Sequence, residues 1–167
     1  MAPSKRKARH HSNRKKATPE ERLQKRLRDS MAGTPVAFVK TTDGVKMSEV
    51  LQAFLAPYMK FVKTEEHMQK LLTIAVAAWN ISLLPKDERM KAVDNIITSL
   101  PPDAQADAKS IVMELMQRKK KYFGKIRRAV LDFEVSDVQS GFHLTVISTA
   151  EDIEVTGTAT RDSGNSV

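Results

Sequence analysis

Residues 64–84, TEEHMQKLLTIAVAAWNISLL, form the only long segment of the chain with few charged side chains. Apolar residues recur along it at helical spacing, and the opposite side of the same helix, which carries Ile74 and Ile81, is also apolar. A helix that is apolar all round belongs in a protein core or in a membrane. Its least polar part, 71–84, is interrupted by polar residues and is shorter than the roughly 20 apolar residues of a membrane span. We therefore predict a buried core helix over 64–84.

Two polar groups in this helix need partners once it is buried. Trp79, the only tryptophan, is expected to anchor the core, and its indole N–H then needs an acceptor. Asn80 suits either a structural contact or part of a site. The structural interpretation is favoured, because most buried amide side chains bond to nearby backbone.

Helical patterns flank the central segment on both sides. Ser48, Pro85 and Asp103 are predicted to begin further helices. In the last of these helices the expected apolar face includes Ile111, and Gly124 is expected to close it as a C-cap.

The pattern then changes to period two, which is typical of strands. Leu131, Phe133 and Val135 alternate with polar residues, and a second alternating run follows a turn at 137–141. This predicts a β-hairpin over about 127–149 with one apolar face.

The predicted fold class is α+β and predominantly helical: a compact bundle of about four helices around helix 64–84, with the C-terminal hairpin and a short N-terminal strand at 36–40. The chain divides into four parts. They are a disordered basic arm (1–17), a basic amphipathic helix (18–33), a globular domain (34–149) and an acidic, mostly disordered tail (150–167).

The positive charge of the chain is concentrated at the N-terminus. The net charge is +8, and residues 1–28 contain 11 of the 28 Lys and Arg residues but only 2 of the 20 Asp and Glu residues. Such an asymmetry suggests an arm that contacts a polyanion. The alternative is a solubilising tail without a partner. The candidate phosphate contacts in the arm are Lys5, Arg6, Lys7, Arg9, Arg14, Lys15 and Lys16.

Thr18-Pro19-Glu20-Glu21 is a helix start, with Thr18 as the cap and Glu21 completing a capping box. Leu23, Leu27 and Met31 give the helix a narrow apolar stripe. Arg22 and Arg26 beside the stripe are candidate nucleic-acid contacts. The helix suits docking on the domain or lying along a nucleic acid. It suits a membrane surface least, because three apolar residues bury little area.

A second basic block, RKKKYFGKIRR at 118–128, contains two aromatic residues. Cations beside aromatic rings are typical of surfaces that grip single-stranded nucleic acid. The alternative is favoured here, since cations in the last turn of a helix also stabilise the helix dipole. The candidate contacts in this block are Arg118, Lys119, Lys120, Lys121, Arg127 and Arg128.

Several chemistries have no support in the sequence. Without cysteine there is no disulfide, zinc–cysteine site or thiol catalysis. Phosphate-loop, dinucleotide and HExxH motifs are absent. His10 with His11, His143, and the pair Asp103 and Asp107 are weak candidates for a site, because no further group converges on them. We expect no cofactor, no metal and no small-molecule ligand.

These observations predict a non-enzymatic, nucleic-acid-associated protein, with RNA or a ribosomal particle preferred, whose arm binds phosphate backbones. The main alternative is a protein-interaction or regulatory module whose arm only solubilises. A small enzyme with a dispersed site is the third interpretation. No membrane association is expected. The expected location is the cytoplasm, or the nucleus in a eukaryote, where the basic clusters would serve as an import signal.

Overall fold

The computed structural model describes residues 16–32, 37–38, 44–138 and 141–150. In chain order the elements are α1 (Pro19–Ser30), α2 (Met47–Leu55), a 3₁₀ helix (Ala56–Phe61), α3 (Glu65–Ile81), α4 (Lys86–Thr98), α5 (Pro102–Tyr122), β1 (Val130–Val138) and β2 (Gly141–Ser148). This confirms a predominantly helical α+β fold with a C-terminal hairpin. Within the described ranges, every helix is too short or too polar to cross a membrane.

Helix α3 is the centre of the core, as predicted. The Thr64 hydroxyl accepts a hydrogen bond from the His67 backbone N–H (3.2 Å), which satisfies an unpaired donor of the first turn. The helix ends at Ile81 rather than at residue 84, and Ser82 is its C-cap. Its buried side chains occur on several sides, because α4, α5 and β1 all pack against it. They are Met68, Leu72, Ala75, Ala78, Trp79 and Ile81.

Three predicted helix ends are wrong. Helix α2 begins at Met47 with Lys46 as its N-cap, so Ser48 lies inside the first turn. Pro101 is the N-cap of α5, and Asp103 lies in the first turn, where its negative charge favours the helix dipole. Gly124 does not have the left-handed conformation of a glycine C-cap. A Cβ at Gly124 would lie 2.9 Å from the Lys120 carbonyl oxygen, so a close backbone approach favours glycine there.

The buried face of α5 is rotated slightly from the predicted one. Val112, Leu115 and Lys119 are buried, whereas Ile111 is 37% exposed. The predicted apolar face also included Ala104, which is exposed as well, so two of its residues lie at the surface. A lysine occupies a core position that the apolar pattern did not anticipate.

The hairpin pairs β1 with β2 antiparallel, with Val135 opposite Leu144. The register shifts between Val130 and Asp132, as in a β-bulge. Because of this extra residue, Val130 is buried and Leu131 is 45% exposed. The prediction that Leu131 belongs to the apolar face is therefore wrong, although Val135 and Leu144 do face the core.

Helix α1 packs against both strands of the hairpin. Its capping box forms as predicted: the Thr18 N–H donates to Glu21 Oε2 (2.8 Å), and the Glu21 N–H donates to the Thr18 hydroxyl (3.2 Å). Leu23 and Leu27 are buried, while Met31, the third residue of the expected stripe, is 37% exposed. The sequence left open whether α1 docks on the domain, lies along a nucleic acid or rests on a membrane. In the structure it docks on the domain.

The N-terminal strand predicted at 36–40 falls mostly outside the described residues, as do most of the arm and of the tail.

Candidate nucleic-acid interface

The two candidate arginines of α1 bond to carboxylates of the hairpin. Arg22 donates to Glu134 from both Nε and Nη2. Arg26 donates to both carboxylate oxygens of Asp132 (3.1 Å each) and to the Phe133 carbonyl (3.0 Å). These hydrogen bonds raise the pKa of both arginines. A phosphate would have to displace carboxylates that already occupy these donors.

Lys119, in the second basic block, lies in the protein interior and is only 3% exposed. Its Nζ donates to the carbonyls of Phe123 (2.8 Å) and Ile126 (2.7 Å) and lies 4.3 Å from the centre of the Trp79 ring. The charge therefore satisfies carbonyls at the end of α5, where the helix dipole is negative. This is the role that the alternative interpretation gave to cations in this turn.

Arg118 and Arg128 also bond within the protein. Arg118 donates to the Phe54 (2.9 Å) and Ala53 (3.1 Å) carbonyls at the end of α2. Arg128 donates to the Thr149 carbonyl (2.8 Å), the Ser148 hydroxyl (2.7 Å) and the Val45 carbonyl (3.2 Å). Both arginines join segments that are distant in sequence, so part of the basic block stabilises the fold.

The remaining candidates of the block are at the surface. Lys120, Lys121 and Arg127 are exposed, and so is the neighbouring Lys125. Lys16 is exposed just before α1. Six further candidates lie outside the described residues: Lys5, Arg6, Lys7, Arg9, Arg14 and Lys15.

A depression of about 460 Å³ lies between the α3–α4 turn, α5 and the loop after α5, and we call it the basic depression. Among the residues that the structure describes, four cationic ones line it and no carboxylate does. These are Arg89, Lys119, Lys120 and Arg127. The other lining residues are Ser82, Leu83, Leu84, Pro85, Met113, Met116, Gln117 and Gly124. The depression therefore has a mainly apolar lining with cationic side chains around it.

Arg89 is the member of this group that the sequence did not indicate. It belongs to α4, far from the basic block in sequence, and its Nε donates to the Leu84 carbonyl (2.9 Å). That bond holds the guanidinium beside the depression. No local pattern around Arg89 could have indicated this, because only the packing of α4 on α5 brings the two segments together.

Lys16, the one cation of the arm that the structure describes, is not among the residues that line the basic depression. Arg22 contacts Glu134 and Arg26 contacts Asp132, so α1 runs antiparallel to β1. The N-terminal end of α1, with Lys16, therefore lies toward the hairpin turn, whereas Arg128 precedes the other end of β1. Several residues of strand separate these ends, at about 3.3 Å per residue.

A second depression, of about 940 Å³, follows the seam between α1 and β2. Its lining mixes charges, with Glu20 and Glu21 as well as Arg28 and Arg128. This mixed charge does not favour a polyanion.

The two tyrosines of the chain should titrate in well-separated steps. Burial, and then the hydrogen bond to Glu114 (2.7 Å), raise the pKa of Tyr58 from 10.0 to about 12. The interaction with Lys121 lowers the pKa of Tyr122 below 10.0. Ultraviolet titration of tyrosinate should show an early and a late step, and Tyr122→Phe should remove the early one.

Because the pKa of Tyr58 is raised on folding, its contribution to stability is complete below pH 10 and is lost as pH rises through about 12. A single titration step near pH 10 in the folded protein would contradict both the raised pKa of Tyr58 and the lowered pKa of Tyr122.

The remaining described candidates for chemistry have structural or surface positions, and His10 and His11 fall outside the described residues. The Asn80 amide donates to the Val130 carbonyl (2.8 Å) and accepts from its N–H (3.0 Å), which is the structural contact favoured above. His143 is exposed on β2, and Asp103 and Asp107 are exposed near the start of α5. Among the residues that the structure describes, no three His, Asp or Glu side chains are grouped so as to hold a metal ion.

Comparisons with known proteins found no matching family model, no similar curated protein and no similar solved structure.

Proposed function

We propose that the protein binds the phosphate backbone of a nucleic acid, preferably RNA, and does not act as an enzyme. The observation that carries the proposal is the basic depression, which is lined by cations from α4, α5 and the following loop and by no carboxylate of the described ranges. Exposed Lys121 and Lys125 lie close to it in sequence. The basic arm, whose cations are known from the sequence, is the second candidate for phosphate contact.

Binding of this kind depends on charge and releases counterions from the nucleic acid, so affinity falls as salt rises. Lysine–phosphate contacts carry little sequence information, and the expected binding is therefore weakly sequence-dependent. Arg22, Arg26, Arg118, Lys119 and Arg128 have roles within the fold. The proposal assigns direct phosphate contact to the exposed lysines, to Arg89 beside the depression and to the arm.

Replacing Lys120, Lys121 and Lys125 together by glutamine should weaken RNA binding and lower the slope of log affinity against log salt by about three, one for each lost phosphate contact. Deleting residues 2–15 should have an effect of the same kind. The measurement is a gel-shift titration with an RNA oligonucleotide at several salt concentrations. A matched control replaces Lys60, Lys63 and Lys70 by glutamine, which removes the same charge from exposed positions elsewhere. Unchanged affinity and slope in both test variants would refute the proposal.

A protein-interaction module is the second candidate. It is favoured by Val45, Phe61 and Tyr122, whose apolar side chains are each more than half exposed, at 63%, 67% and 59%. A protein partner that copurifies in stoichiometric amount and stays bound after nuclease treatment would support this candidate over the first.

A further inference from the structure

The apolar lining of the basic depression favours single-stranded over double-stranded nucleic acid. We propose that the depression accepts one unpaired base of a single-stranded nucleic acid, with the adjoining phosphates on its cationic rim. This inference rests on the proposed function and makes it specific, because it names single strands as the ligand and a base as the inserted group.

The size of the depression fits such a ligand. Its volume of about 460 Å³ falls within the range of roughly 300–1,000 Å³ that is usual for sites of small organic ligands. A base in a duplex is paired and stacked, so it cannot enter without being extruded. A base in a single strand is available at little cost. The concave shape therefore discriminates between the two forms.

The chemistry of the lining favours an aromatic ring. Met113 and Met116 of α5 line the depression together with Leu83, Leu84 and Pro85. Thioether sulfurs make favourable contacts with aromatic rings. The Gln117 amide lies in the same lining and offers both a donor and an acceptor to the edge of a base.

The rim suits the phosphates that flank an inserted base. Arg89 and Lys120 come from different helices, so they can contact phosphates on different sides of one nucleotide. The bond from Arg89 Nε to Leu84 fixes this guanidinium in advance, which reduces the entropy lost when a phosphate binds. An acidic peptide would satisfy the same charges. The methionines and the Gln117 amide favour the base, and an acidic peptide is therefore a competing outcome in the test.

The test uses the full chain and fluorescence anisotropy with three probes of about 12 nucleotides: oligouridylate, the same backbone with every base removed, and an RNA duplex. The wild-type protein should bind oligouridylate about two- to tenfold more tightly than the abasic strand. Gln117→Glu should abolish that preference, because a carboxylate lacks the amide donor for the edge of the base. Gln69→Glu, an exposed substitution on α3 with the same change in charge, should keep it.

A second variant keeps the packing and removes only the sulfurs. Met113→Leu with Met116→Leu nearly conserves volume, so the fold should tolerate it. It should reduce the preference for oligouridylate over the abasic strand and leave the salt slope unchanged. An unchanged preference in this variant would overturn the assignment of the methionines to base contact.

The outcomes separate this inference from the proposed function. Equal wild-type affinity for oligouridylate and the abasic strand, with a strong salt dependence for both, would overturn base insertion and leave phosphate binding standing. Binding of poly-L-glutamate without binding of any nucleic-acid probe would overturn both. A base preference that Gln117→Glu removes and Gln69→Glu retains would support both.

Discussion

Replacing Lys119 by methionine is expected to lower the free energy of unfolding by about 3 kcal/mol. The Nζ of Lys119 donates to the Phe123 and Ile126 carbonyls, and methionine cannot replace those charged hydrogen bonds. Methionine has a similar length, so the loss should come from the missing donors rather than from a cavity. The measurement is equilibrium unfolding in urea, which gives the free energy by linear extrapolation.

Lys121→Met provides the matched control for this experiment. Lys121 lies in the last turn of the same helix but is exposed. Its replacement should change the free energy of unfolding by less than about 0.5 kcal/mol, as is usual for surface positions. Equal stabilities of the two variants would show that the buried ammonium does not hold the end of α5.

Replacing Asn80 by leucine is expected to lower the free energy of unfolding by about 2–3 kcal/mol. The amide of Asn80 pairs with both the N–H and the carbonyl of Val130, whose side chain is 3% exposed. Leucine is close to asparagine in size but satisfies neither backbone group. Both groups would then be left without a partner at the point where the hairpin meets α3.

Asn95→Leu is the corresponding control, because Asn95 is exposed on α4. Urea unfolding of the two variants should differ clearly, with Asn95→Leu close to the wild-type protein. If Asn80→Leu were as stable as Asn95→Leu, the pairing with Val130 would contribute nothing measurable to the fold.

The elements with strong local patterns were predictable from the sequence. The all-round apolar segment indicated α3, and the Thr18-Pro19-Glu20-Glu21 start indicated α1. The change to period two indicated the hairpin. Each of these signals is contained within a few neighbouring residues. The Trp79 N–H was expected to need an acceptor, but only the structure shows that it donates to the Arg128 carbonyl (2.9 Å).

What the sequence did not reveal depends on contacts between distant segments. Leu131 was placed on the apolar face because a period-two pattern cannot show a bulge. The pairs of Arg22 with Glu134 and of Arg26 with Asp132 join residues more than 100 positions apart. Lys119 was grouped with its basic neighbours, although its helical position places it in the core. For the same reason, Arg89 could not be assigned to the basic depression before the packing of α4 on α5 was known.

The position of α1 affects which part of the protein unfolds locally first. Its attachment to the hairpin depends on Leu23 and Leu27, together with arginine–carboxylate pairs whose arginines are about half exposed. The carboxylates are more buried, with 14% of the Glu134 side chain and 26% of the Asp132 side chain exposed, but the arginine side of each pair is accessible to salt, which screens it. Helix α3, by contrast, is enclosed by several elements. Amide hydrogens of α1 should therefore exchange with solvent through local opening, well before those of α3, and faster as ionic strength rises.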